Sequence, residues 1–314
     1  YVLAAMQFAV SAFFEPGRNA ILPSLLESHT LVQANMLGGV TWSVMSAVGG
    51  ALGGLVAGTF GIATALVIDA ATFAVSALLI AWITPTSTSS DVHFRTTLHP
   101  VADLMDGLHY VRQRPAIATT LLVKAGTYLG SMDTLMIIYA TTLFVIGEQG
   151  AVSLGIMWGA YGVGAVLGPF IFEPFNDGSI PRMRRLILMG LVLTTLGWLI
   201  FASAPVLAIV ALGLLVKATG VNWTYSSVIL QKLTPNEYLG RIFSLDLFGF
   251  QASLVVSIIV TGLVIDAIGS EHVRAVAFAT GLISLLPLIL WLRALRWFER
   301  RDDAGEDFRV ESLS

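Results

Sequence analysis

The sequence contains no cysteine, which removes disulfides, thiolate nucleophiles and Cys-ligated metals as sources of structure or chemistry. Charge is nearly as scarce. Asp, Glu, Lys and Arg make up 12% of residues, about half of the roughly 25% carried by soluble globular domains. The five histidines, His29, His93, His99, His109 and His272, are scattered through polar connections, so no metal site is expected. A G-x-x-x-x-G-K-[ST] loop, an H-E-x-x-H pair and a G-x-S-x-G elbow are all missing, which argues against nucleotide hydrolysis, zinc proteolysis and serine-hydrolase chemistry. No cofactor is implied. The arginines do not form a basic face, so nucleic acid is not an expected partner. Short segments of alternating polarity are missing too, which excludes a membrane β-barrel.

What remains is hydrophobic: 56% of residues are apolar, arranged in runs of about 20, the length that crosses a hydrocarbon core of about 30 Å as a helix. The fold class is therefore all-α and polytopic, with the lipid bilayer as its surroundings. Nine spans are expected, over residues 1–14, 32–57, 62–83, 117–146, 153–172, 186–202, 206–230, 242–268 and 273–295. The main interruption is the polar stretch from Thr84 to Pro115. Its Ser/Thr/Pro-rich beginning reads as a solvated linker. Its later part repeats Leu98, Val101, Leu104, Met105, Leu108 and Val111 at helical spacing, which predicts an amphipathic helix on the membrane surface. The domain organisation is then 1–84, a partial N-terminal bundle of three spans; 85–115, the linker; 116–296, a six-helix bundle; and 297–314, a tail.

Basic residues set the orientation. Arg18, Arg95, Arg112, Arg114, Arg182, Arg184, Arg185, Lys232, Arg241 and the five arginines after residue 292 fall in alternate connections, fourteen in all, while the opposite set carries only Arg274. The linker and C-terminus are accordingly expected in the cytoplasm of a multi-pass plasma (inner) membrane protein. An internal echo accompanies this layout: a shift of 208 residues places Leu22 on Leu230, Leu31 on Leu239, Gly54 on Gly262 and Gly61 on Gly269. If the halves correspond, a full protein has twelve spans and three precede Tyr1. Two such halves are a transporter plan.

Two helices are lined with glycine. AVGGALGGLVAG carries Gly49, Gly50, Gly53, Gly54 and Gly58, and GIMWGAYGVGAVLGP carries Gly155, Gly159, Gly162, Gly164 and Gly168. Glycines four apart let helix backbones approach closely, for static packing or for rocking against a neighbour. The segment FFEPGRNAILPSLLESHTLVQANML, followed by GGALGG and GIATALVIDAATFAVSALL, resembles the fourth to sixth spans of the major facilitator superfamily, in the branch that contains enterobactin and macrolide exporters. Gly49, Gly53 and Gly54 match that family's fifth-helix antiporter motif, with Gly50 where it usually has proline. The resemblance implies a drug or siderophore exporter driven by proton antiport.

Ionisable groups inside spans cost on the order of 3 kcal/mol or more to bury and default to functional candidates. Asp133, Lys124 and Lys217 are the proton-coupling candidates. Lys124 and Asp133 are nine residues apart, which on one continuous helix points them to opposite sides. A substrate cavity for an amphiphile wants rings and a few polar anchors, and Tyr128, Trp158, Tyr161, Asn222 and Trp223 are placed to supply them. At the cytoplasmic ends, Arg18, Asp177, Arg241 and Asp246 are gate candidates, with Asp177 the suggested partner of Arg241 in the outward-open state. The expected function is secondary export of a hydrophobic or amphiphilic small molecule, as a monomer, with protons as the coupled partner and no enzyme activity. An integral membrane enzyme or assembly factor, or an uptake carrier, is the alternative.

Overall fold

The computed structural model describes Met6, residues 31–82 and residues 100–303. Every regular element among the described residues is helical: α1 Leu31–Phe60, α2 Ile62–Ala81, α3 Pro100–Arg112, α4 Pro115–Thr127, α5 Met132–Ile138, α6 Ala151–Phe172, α7 Ile180–Ser203, α8 Leu207–Ala218, α9 Asn222–Leu233, α10 Asn236–Ile268, α11 Val273–Ile283 and α12 Leu285–Asp303. Seven stretches are long and apolar enough to cross a membrane: Ile62–Ala81, Pro115–Leu143, Glu148–Phe175, Ile180–Ser203, Leu207–Leu233, Tyr238–Ile268 and Ser270–Arg300. They cover the six spans expected after the linker and the one immediately before it. The span expected at 32–57 is α1, and that at 1–14 lies outside the described residues apart from Met6.

The internal echo recurs in the helix ends. Shifted by 208, α1 and Gly61 fall on α10 and Gly269. Each of those glycines ends its helix at a positive φ, 89° and 90°, which a side chain rarely adopts.

The chain divides into two compact units, Tyr1–Trp42 with Ala63–Leu98, and Ser43–Ile62 with His99–Ser314. In the first, the part of α2 that belongs to it is predominantly apolar, with Asp69 its charged residue, and has no buried residue.

In the second unit α7 is central and packs on α8, α9, α11 and α12, while α4 packs on α9, α10 and α12. Tyr139 stacks on Phe201 with centroids 4.3 Å apart, and Trp198 meets the same ring edge-on at 5.6 Å. Toward the other end, Ile187, Leu191, Ile229 and Trp291 form a second core, with Trp291 Nε1 donating to the Arg184 carbonyl at 3.0 Å. Apolar burial between helices gains little in lipid, so close backbone approach must hold them. A Cβ on Gly213 would lie 2.7 Å from the Phe201 nitrogen, and one on Gly197 2.5 Å from the Gly213 carbonyl. Gly213→Val is therefore expected to lower bundle stability by about 1–3 kcal/mol. Thermal unfolding in detergent measures this, and an unchanged transition would show that the α7–α8 contact can open without cost.

Helix α3 packs one side on the bundle. Gly107, Tyr110 and Val111 are buried against the bundle, with Tyr110 stacked on Tyr238 at 4.1 Å and Arg114 3.8 Å above the Tyr110 ring. Met105 and Leu108 stay exposed, at 60% and 52%. Val111 thus leaves the apolar stripe to which its spacing assigned it, because the neighbouring Gly107 permits close approach to Arg241 and Leu245 of α10. Arg274, the exception in the arginine pattern, donates to the Ala204 carbonyl at the C-terminus of α7, where a cation complements the helix dipole.

Candidate functional site

Among the described spans, Ser270–Arg300 is interrupted at Ser284, and two others are broken beside expected site residues. In Pro115–Leu143 the helix stops after Thr127 and restarts at Met132, with Gly130 at φ 95° between them and Ser131 Oγ accepting from the Thr134 N–H at 3.4 Å. Backbone groups freed inside a membrane need partners. Ser257 of α10 provides them: its hydroxyl donates to the Tyr128 carbonyl and accepts from the Gly130 N–H, both at 3.0 Å. In Leu207–Leu233 the break falls at residues 219–221, between α8 and α9. Non-helical backbone at such depth is tolerated where it is enclosed by protein or lines a cavity.

Five of the eight expected proton-coupling and cavity residues flank these breaks. Tyr128 and Asp133 bracket the first; Lys217, Asn222 and Trp223 bracket the second. The Lys217 ammonium lies 5.6 Å from the Tyr161 ring centre and 5.4 Å from that of Trp198. Asp133 is near enough to Lys217 for their charges to interact, yet among the described residues no ion pair joins them. The Tyr128 and Tyr161 hydroxyls are also close enough to interact. Phe250 links the two breaks, meeting Tyr128 edge-on at 4.4 Å and Trp223 at 5.2 Å, while Trp158 meets Tyr161 at 5.9 Å. The result is a row of rings with an Asp and a Lys at one end.

A second charged pair stands at the other end. Lys124 contacts Asp246 in an ion pair, with both side chains at most 4% exposed. Its ammonium also donates to Ser227 Oγ at 2.8 Å and sits 4.4 Å from the Trp223 ring centre. Lys124 and Asp133 do not pair, as expected, but the continuous-helix reason fails: the break at 128–131 changes their relative direction. Two further expectations are corrected. Asn222 is 4% exposed, abuts Gly190 and donates to Thr194 Oγ1 at 3.4 Å, so it joins α9 to α7 instead of lining a cavity. Asp177 does not engage Arg241. Its Oδ1 accepts from the Ser179 hydroxyl and N–H at 2.6 and 2.9 Å, while Arg241 pairs with Asp106 of α3 at 3.0 Å. A carboxylate followed by Gly-Ser closes on its own turn before it reaches a distant helix. Those two donors hold the Asp177 carboxyl below its ordinary range, so this turn keeps its charge at neutral pH and loses it only as pH falls below that range. Arg18 lies outside the described residues.

The glycine-lined helices divide by face. Gly50, Gly54 and Gly58 of α1 lie against Trp158, Gly155 and Val152 of α6, running antiparallel, whereas no described residue approaches Gly49 or Gly53 within 4 Å. On the other side of α6, Gly164 and Gly168 press on the Leu215 and Thr219 carbonyls.

Phe250, Ser257, Ser227, Asp106 and Trp198 escaped the sequence reading. A signal existed for two of them: Asp246, Phe250, Ser253, Ser257 and Thr261 recur at helical spacing through an otherwise aliphatic span. Among the described residues no group of His, Asp and Glu is placed to hold a metal ion.

The family model described as transmembrane secretion effector matches residues 2–312. The chain is similar to an uncharacterized MFS-type transporter from Sinorhizobium fredii, at 26% identity over 289 residues, which are 88% of this chain and 66% of that protein. It thus spans just under two thirds of that relative's length.

Proposed function

Because the chain belongs to the transmembrane secretion effector family, within the major facilitator superfamily, we propose that it works in a secondary active transporter that exports a hydrophobic or amphiphilic small molecule by alternating access, driven by proton entry. The observation that supports this reading is that Asp133 and Lys217, beside the breaks of two interrupted spans, lie within electrostatic range without an ion pair between them, with the Tyr161 ring 5.6 Å from Lys217 and Trp158 edge-on to Tyr161. A proton taken by Asp133 neutralises its carboxylate and removes its attraction for Lys217. The helix segments on either side of the breaks are then free to shift, and the proton leaves on the cytoplasmic side before the next cycle. Rings and a few charged anchors suit an amphiphile. The distribution of arginines supports a layout with the linker and C-terminus in the cytoplasm, and the proposal takes the protein as a monomer in the plasma membrane.

The test is dye efflux from proteoliposomes containing the full-length protein and an imposed proton gradient. Asp133→Asn is expected to abolish gradient-driven efflux, by at least about 100-fold, while the purified variant keeps its thermal transition; removal of a proton carrier acts on coupling more than on folding. Efflux that continues after the gradient is collapsed rejects proton coupling. Labelling of the linker from outside intact cells would invert the layout and favour an uptake carrier.

A further inference from the structure

The Lys124–Asp246 pair lies apart from the proton-coupling cluster and has an unusual composition for a structural salt bridge. The Lys124 ammonium is held by one Asp246 oxygen, by Ser227 Oγ at 2.8 Å, and by the faces of Trp223 and Phe243, 4.4 and 5.9 Å from their ring centres. A carboxylate, a hydroxyl and aromatic faces are the groups that recognise an organic ammonium ion in a site sheltered from water. The second oxygen of Asp246 is buried and has no hydrogen-bond partner among the described residues, in a side chain 3% exposed. An unsatisfied anionic oxygen at that depth is costly and calls for a donor. Trp223 itself is 48% exposed, so one edge of the site is open, and its ring continues through Phe250 to Tyr128.

We propose that this is a binding site for cationic amphiphiles bearing a protonated amine and an aromatic body, and that Lys124 is a tethered stand-in that occupies it between substrates. The incoming ammonium takes the Asp246 carboxylate, donating to the orphaned oxygen, while its ring system stacks along Trp223 and Phe250. Lys124 is displaced toward Ser227. The exchange gives the Asp246 carboxylate one cationic partner for another, so that buried anion is not left without a counter-charge. This deepens the exporter reading and rests on it for the direction of movement; the binding site does not depend on it.

The probe is 2-naphthylmethylamine, protonated at neutral pH, with neutral 2-naphthylmethanol as its control. Binding to the full-length protein in detergent is measured by equilibrium dialysis and by the shift in thermal transition. Removing a competing internal cation raises apparent affinity by the fraction of time the site was occupied. Lys124→Ala is therefore expected to bind the amine at least about 10-fold more tightly than the parent and to recover thermal stability when it is added. Adding Asp246→Asn to Lys124→Ala should eliminate both effects, and the alcohol should produce neither. Should Lys124→Ala not fold, the parent compared with Trp223→Leu reports the same site through an expected loss of amine binding of about 10-fold. Equal affinity with and without Lys124, or amine binding that survives Asp246→Asn, overturns the proposal. Gradient-driven efflux of other dyes combined with either result leaves the exporter reading intact and removes the site. The expected binding pattern in a protein that shows no efflux keeps the site and removes the exporter reading.

Discussion

Gly54→Ala is expected to reduce transport by about 10-fold or more and Gly54→Leu to abolish it, while Gly49→Ala and Gly53→Ala remain within about 2-fold of the parent. The reason is one of contact. A Cβ at Gly54 would overlap the Gly155 Cα and lie 2.7 Å from the Ala151 carbonyl, whereas among the described residues nothing stands within 4 Å of Gly49 or Gly53. No flexible side chain can yield at Gly54, because its neighbours are backbone, so α1 and α6 must separate. Overpacking of this kind costs about 1–3 kcal/mol, and each 1.4 kcal/mol shifts a two-state equilibrium by a factor of about ten. On the arginine layout, Gly58 and Val152 adjoin the connections on the non-cytoplasmic side. A protein that cannot close this seam should stay open outward. The natural absence of cysteine makes the measurement direct: with Val152→Cys as the reporter, a membrane-impermeant thiol reagent should label the Gly54→Leu background in cells and leave the parent background largely protected. Equal labelling in both, or equal transport loss at Gly49 and Gly54, would show that the glycines act by composition and not by this contact.

Lys124→Met is expected to be the most destabilising single change in the second unit, by about 3–5 kcal/mol, with Lys124→Met combined with Asp246→Leu close to the parent. Truncating one partner leaves a buried charge without compensation, whereas replacing both by apolar groups removes the desolvation penalty together with the attraction. The pair suits this comparison because both side chains are nearly inaccessible and connect α4 to α10 just before the α4 break. Thermal unfolding of the four proteins in the cycle measures the coupling. If single and double variants are destabilised alike, the pair is held by its surroundings and not by its charges. The double variant should be stable yet unable to bind the naphthyl amine, which separates folding from recognition at this site.

The site was partly legible because membrane burial makes polar residues conspicuous. Lys124, Asp133, Lys217 and Asp246 stand out from apolar runs without any structure, and Gly130-Ser131 is a readable stop and cap. Treating 117–146 as one helix hid the consequence of that cap, since helical arithmetic holds only while the helix continues. Asn222 misled for a related reason: an amide in a span seeks a hydrogen bond, and the nearest was Thr194 on a packed helix instead of a ligand. Asp177 was assigned a distant partner when its own turn offered two donors.

The sequence by itself determined that this chain is a helical membrane protein, which segments can span, and which few residues must be costly to bury, because hydrocarbon penalises charge whatever the packing. It also carried the repeat, down to the two glycines that end corresponding helices at positive φ. The tertiary structure alone decided who partners whom: Lys124 with Asp246, Arg241 with Asp106, Gly54 with Gly155, and the row of rings that passes through Phe250. Those pairings join residues up to 135 positions apart, the separation of Asp106 and Arg241. Several helices offer each polar group an equally apolar route and comparable depth, so only the packing of backbone against backbone selects among them.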